Sequence, residues 1–180
     1  MITAARLRRI LWREGIGVDV AAALNLVGTL IKYLSPTFLF PALIAVGYDE
    51  PAWPFLLAGV ITAVAGSSLE FATRGKERVG AREGYLVVAL VWVLLPAFGC
   101  LPYLFSGENQ LSRPVDAYFE AMSGFSTTGA SVLTDIEGLE HSLAMWRQFT
   151  QWLGGMGIIV LAIAVLPRLR VGGRQMLEAE

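Results

Sequence analysis

The chain has 180 residues, 55% of them hydrophobic, with 14 Lys and Arg against 15 Asp and Glu, a net charge of −1 and a mean hydropathy of +0.58. That balance offers no basic surplus for nucleic acid. One cysteine, Cys100, excludes an intrachain disulfide, and one histidine, His141, without Cys or His partners, argues against a zinc site.

Residues 1–20 form a basic entry segment in which Leu7, Ile10, Leu11 and Trp12 can lie on a membrane surface. No small-residue cleavage site follows a short apolar core, and the apolar region is too long for a signal peptide, so a retained helix is expected. The first span is predicted over Ala21 to Val46, interrupted by Lys32 and bent by Pro36 and Pro41. Lys32 is read as snorkelling or as paired inside the bundle, in preference to a transport role.

The charges are spaced to leave membrane-length gaps. There are 19 uncharged residues between Glu50 and Glu70, 24 between Glu83 and Glu108, and 20 between Arg147 and Arg168. A span takes about 20 apolar residues. Span two is predicted from Pro54 to Phe71, followed by a polar connector over 72–83 that marks a module boundary, giving units 1–83 and 84–180. Span three runs from Gly84 to Phe105, with a bend expected at Pro96 and Gly99. Trp92 is assigned to lipid or a neighbouring helix, and Tyr103 to anchoring at the outer boundary.

Residues 112–125 read as a short helix. Pro114 suits its first turn and Asp116 the positive end of its dipole, while Val115, Tyr118, Phe119 and Met122 recur at helical spacing to give one apolar side. Twelve residues from Pro114 to Phe125 rise only about 18 Å, too little to cross a bilayer. Such a helix can enter halfway and return, with its negative C-terminal end toward the membrane centre. Glu120 then either faces the path of an ion or bonds behind the loop.

The loop that follows, Ser126-Thr127-Thr128-Gly129-Ala130-Ser131, is rich in hydroxyls and contains a glycine able to adopt φ > 0. A cation entering a bilayer must exchange its hydration shell for oxygens, and backbone carbonyls with Thr or Ser hydroxyls supply them densely. The same residue types also make ordinary turns. Span four is predicted from Leu143 to Pro167, and its Gly154, Gly155 and Gly157 suit close helix packing ahead of a hinge. Arg147 would repel a cation and is assigned to support of the loop.

Eleven of the 14 basic residues lie before span one, between spans two and three, or after span four. With four spans these segments share one face, which the positive-inside rule makes cytoplasmic, as are both termini. Residues 106–142 then lie outside, and the loop enters from that face. The fold class expected is an all-α membrane protein of four transmembrane helices with a re-entrant pore helix and filter loop.

The stretches 116–131 and 146–167 together resemble one repeat of the Trk/Ktr/HKT superfamily of potassium transporters, in the pore-forming subunit of bacterial Trk systems. The resemblance extends over the preceding helical pair. It implies that Thr127 and Thr128 are the potassium-coordinating pair, that Gly129 is the filter glycine, and that Ser126 and Ala130 flank them. It further implies a channel-like helix–pore loop–helix fold, potassium as the transported ion, a bacterial cytoplasmic membrane, a homodimer of the complete subunit, and a cytoplasmic nucleotide-binding partner resembling TrkA. No glycine-rich strand-to-helix motif occurs, so no organic cofactor is expected on this chain, and any regulatory nucleotide belongs to the partner.

Family members carry four such repeats around one pore, and this sequence contains one, a quarter of a filter, with no second Thr-Gly loop. Three further repeats are therefore implied as partners, beside membrane lipid. The alternatives are an inert truncated fragment, or copies that assemble into a homo-oligomeric cation channel. A remote alternative is an intramembrane hydrolase pairing Ser126 with His141, for which the spacing assures no contact. A transporter rather than an enzyme is expected.

Overall fold

The computed structural model describes residues 19–75 and 80–177, except for the side chains of Ala81 and of residues 160–177. Most of the basic entry segment, and the centre of the connector, lie outside the described residues.

Helix α1 spans Val20–Leu34. Asp19 caps it by accepting hydrogen bonds from the backbone N–H groups of Ala21 and Ala22, each at 3.1 Å. Pro36 cannot continue the ladder, and a 3₁₀ turn over Ser35–Phe38 leads into α2, Leu39–Gly47. There the Ser35 hydroxyl donates to the Lys32 carbonyl at 2.8 Å and Thr37 to the Leu34 carbonyl at 2.6 Å. The turn falls at Pro36, one of the two prolines expected to bend the first span, while Pro41 lies within α2.

Helix α3, Trp53–Ala72, returns alongside α1. Two glycines set the approach: a Cβ on Gly28 would lie 2.7 Å from the Glu70 nitrogen, and one on Gly66 would lie 2.5 Å from the Lys32 nitrogen. Lys32 has its partner in Glu70, with Nζ 2.5 Å from Oε2. Asn25 fastens the same level through Nδ2 to the Glu70 carbonyl, at 2.9 Å.

Helix α4 covers Ala81–Gly99 and the short α5 covers Leu101–Phe105, so the bend expected in span three is a break at Cys100. The Glu83 carboxylate joins the starts of two helices, accepting from Asp19 N and Gly80 N, both at 2.9 Å. The beginnings of α1 and α4 thus adjoin. Trp92 packs partly buried against the core, on a neighbour. Tyr103 departs from its boundary assignment: it is 1% exposed, inside the cluster that holds Phe38, Leu111, Ala117, Phe125 and Trp146. The break at Cys100 restarts the helix, and Pro102 and Tyr103 are the α5 residues turned inward.

Helix α6 is Pro114–Phe125, at its predicted bounds, and α7 runs from His141 to Leu177. The apolar side of α6 is its outer one, with Val115 73% and Phe119 44% exposed, while Ala117, Glu120, Ala121 and Gly124 are buried. Small residues let α6 approach its neighbours closely, and Val115 and Phe119 face outward, as the surface of a membrane protein allows, while Phe125 at the end of the helix turns into the core. Among the described residues, three apolar stretches reach membrane-spanning length: Val20–Gly47, Trp53–Ala72 and Arg82–Phe105. No strand occurs among the described residues.

Candidate functional site

Helix α6 is held on two sides at its C-terminal end. A Cβ on Gly99 of α4 would meet the Phe125 ring at 2.5 Å, and one on Gly154 of α7 would meet the Phe125 carbonyl oxygen at 1.9 Å. A Cβ on Gly124 would meet the Thr150 hydroxyl at 2.3 Å. Trp146 Nε1 donates to the Gly99 carbonyl at 2.9 Å, joining α7 to α4 behind this contact. The glycine reading of span four as packing is met at Gly154, whereas Gly157 has open space around it.

The chain leaves α6 through a Schellman turn. Thr127 N donates to the Gly124 carbonyl at 2.9 Å, and Thr128 N to the Ser123 carbonyl at 3.0 Å. This turn needs a left-handed residue at its second position outside the helix, and Thr127 fills it with φ +58°. For a β-branched side chain that conformation costs about 1–2 kcal/mol, and glycine is the usual occupant. Gly129, at φ +74°, meets the expectation of a left-handed glycine.

Two left-handed residues in three turn the loop so that its N–H groups point back to α6. Among the described residues, the carbonyls of Ser126, Thr127, Thr128 and Gly129 accept no hydrogen bond. Residues 127–130 are exposed. The Ala130 carbonyl is held separately by the Ser123 hydroxyl at 2.6 Å, and the Ser126 and Thr128 hydroxyls bond each other at 2.8 Å. The result is a ridge of free carbonyl oxygens on a tethered backbone, suited to a partly dehydrated cation.

Behind the ridge lies a buried ion pair. Glu120, 1% exposed, accepts from Arg147 Nε at 2.5 Å, from the Ser131 hydroxyl at 3.0 Å and from Val132 N at 3.2 Å. Of the two readings open for Glu120, the structure takes the bond behind the loop. Arg147 sits where its charge is neutralised. Ser123, Ser131 and Gln110 escaped sequence reasoning in this role. Gln110 Oε1 accepts from both the nitrogen and the hydroxyl of Thr134 at 2.9 Å, which fixes the outgoing strand of the loop. Lone polar residues of these types carry no periodic signal.

Glu50 also acts, in a role that no local pattern announces. Its carboxylate caps α7, accepting from His141 N at 2.6 Å and Ser142 N at 2.8 Å, and contacts His141 Nδ1 at 2.9 Å. Burial pushes the Glu50 pKa up, but the hydrogen bonds from Ser142 and His141 outweigh it and hold the carboxyl below its ordinary range. Neighbouring Glu140 is raised, by burial first and then by the charges of Glu50 and Glu108. His141 stacks on Tyr48 at 4.0 Å, while the Ser126 hydroxyl meets Thr128 and Ser123, so the two members of the imagined hydrolase pair belong to separate hydrogen-bond sets.

Among the described residues, three apolar stretches of spanning length and a loop whose carbonyls accept no hydrogen bond define part of a multi-pass helical membrane protein. The family profile named TrkH and described as a cation transport protein matches residues 53–180. The chain belongs to this TrkH cation transport family. It is 41% identical over 161 residues to the Trk system potassium uptake protein TrkH of Escherichia coli K12, covering 88% of this chain and 33% of the relative. It is 31% identical over 163 residues to TrkG of the same organism, covering 89% of this chain and 33% of that one. The crystal structure of the potassium transporter TrkH from Vibrio parahaemolyticus superposes with a TM-score of 0.78 at 38% identity, over 87% of this chain and 34% of that chain. The chain therefore spans about a third of the length of the curated relatives it matches.

Proposed function

We propose that this chain contributes one quarter of the filter of a Trk-type potassium uptake system in the bacterial cytoplasmic membrane. Thr127 and Thr128 coordinate K⁺, Gly129 sets the carbonyl direction, and Ser126 and Ala130 flank them. The observation that carries this reading is the run of carbonyls at 126–129 that accept no hydrogen bond among the described residues, in a loop exposed over 127–130 and turned by two left-handed residues.

In this reading α7 is the fourth span, because residues 148–167 are uncharged, and α6 with its loop is re-entrant from the outer face. Both termini are cytoplasmic, by the distribution of basic residues. Residues 1–83 form a leading helical module and 84–180 the repeat. The negative end of the α6 dipole favours a cation at the ridge, the carbonyls lower its dehydration cost, and the membrane potential drives entry. Three further repeats complete the ring. The complete subunit pairs as a homodimer and is regulated by a TrkA-like nucleotide-binding subunit.

Potassium-dependent growth of cells lacking their own uptake systems tests this. The chain is expressed alone and, separately, in place of the matching first third of the Escherichia coli relative. The expected result is growth with the hybrid and none with its Gly129→Arg version. A hybrid that reaches the membrane but takes up no potassium counts against the proposal. Growth with the chain alone would favour assembly from copies.

A further inference from the structure

An open concavity of about 470 Å³ lies on the outer surface of α1 and α3, away from the filter, lined by Lys32, Ser67, Ser68, Glu70, Phe71 and Arg74. Lys32 neutralises Glu70, so the charge left over is that of Arg74, which has no carboxylate in reach among the described residues. The Arg74 guanidinium stands 5.3 Å over the Phe71 ring, which holds it at the rim. The Ser67 and Ser68 side chains are exposed and make no hydrogen bond among the described residues. One unpaired cation, Arg74, and two hydroxyls thus border a space whose acid among the described residues, Glu70, is already paired. That is the donor set for a phosphate group. The carbonyl end of α3 biases the site against an anion, and the Arg74 charge opposes that bias.

The position decides the source of the phosphate. Arg74 lies two residues past the end of α3, an apolar helix of 20 residues, so the concavity sits where hydrocarbon gives way to headgroups. Directly beside it Phe71 is 69% exposed, and Tyr33 and Val64 are exposed at 66% and 60% on the same two helices, a surface for acyl chains. A soluble anion would use none of this apolar border.

We infer that the concavity between α1 and α3 is a site for an anionic phospholipid, its phosphate held by Arg74, Ser67 and Ser68 beside the Lys32–Glu70 pair, and its acyl chains along Phe71. The site is independent of the ion path.

The test uses the full chain in neutral detergent, with dioleoyl phosphatidylglycerol or dioleoyl phosphatidylcholine added, read by native mass spectrometry and by thermal unfolding. The expected result is preferential retention of phosphatidylglycerol and a higher Tm with it. Arg74→Gln should cut that preference about fivefold, the contribution of one basic residue beside an anionic headgroup. Ser67→Ala with Ser68→Ala should cut it as well, and neither variant disturbs the Lys32–Glu70 pair or the lipid-free Tm. Arg113→Gln, an exposed cation elsewhere, should leave the preference unchanged. Equal retention of the two lipids would overturn the inference. So would a preference unaffected by Arg74→Gln, or the same Tm rise from millimolar inorganic phosphate without lipid.

Discussion

Arg147 of α7 donates through Nε to Oε1 of Glu120 on α6, with both side chains buried, and the same carboxylate receives Ser131 and Val132 from the returning loop. One ion pair therefore fixes the helix before the carbonyl ridge, the loop after it, and the helix beyond.

Breaking that pair on one side leaves an uncompensated buried charge, which costs about 3–5 kcal/mol. Arg147→Gln and Glu120→Gln are each expected to lower the Tm strongly and to abolish transport in the complete protein. The double substitution is expected to recover much of the Tm, because neither charge is then left alone. A double-mutant cycle on thermal unfolding measures the coupling.

Gly154 and Gly157 differ by their surroundings alone. Alanine at 154 drives a Cβ against the Phe125 carbonyl oxygen, 1.9 Å away, and overpacking of this kind costs about 1–3 kcal/mol. At Gly157 nothing lies within 4 Å, and alanine should gain up to about 1 kcal/mol of helix propensity. Unfolding midpoints are expected to move in opposite directions.

Thr127→Gly should relieve the strain of a left-handed β-branched residue and stabilise the turn by about 1 kcal/mol. The same change frees the backbone at the ridge. The expected outcome is a higher Tm with poorer discrimination between K⁺ and Na⁺, read from unfolding and from ion flux on one preparation.

The Glu50 cap carries a pH dependence of defined sign. Its folded pKa is depressed, by hydrogen bonds that outweigh burial, so its stabilisation is fully present above the unfolded value of about 4.3. It is lost as pH falls through the lower folded value. The Tm difference between the unaltered protein and Glu50→Gln is therefore expected to be constant above about pH 5 and to shrink below pH 4.3.

The helices were legible because hydropathy and proline act locally. Pro114 and the loop residues after Phe125 bounded α6, and Pro36 placed the 3₁₀ turn. The left-handed Gly129 was legible for the same reason. Thr127 was not, since its conformation follows from where α6 ends: with Ser126 as the cap, the Schellman position falls on a threonine. The orientation of Tyr103 depended on the restart of the helix after Cys100, and the roles of Glu50 and Gln110 on partners 91 and 24 residues away. Contacts at that separation leave no trace in a single sequence. The apolar stripe on α6 was legible as a stripe, but in a membrane a stripe does not say which way it faces.

In the function proposed, backbone carbonyls at 126–129, aimed by Gly129, select the ion. The direct measurement is the ratio of rubidium to sodium flux into proteoliposomes holding the complete hybrid protein, compared with its Gly129→Ala and Ser126→Ala versions. A Cβ at Gly129 meets nothing within 4 Å, so alanine there acts only through the backbone at φ +74°. That ratio is expected to collapse with Gly129→Ala and to survive largely intact with Ser126→Ala. A ratio unchanged by Gly129→Ala but lost with Ser126→Ala would contradict it, and would assign selection to the hydroxyls.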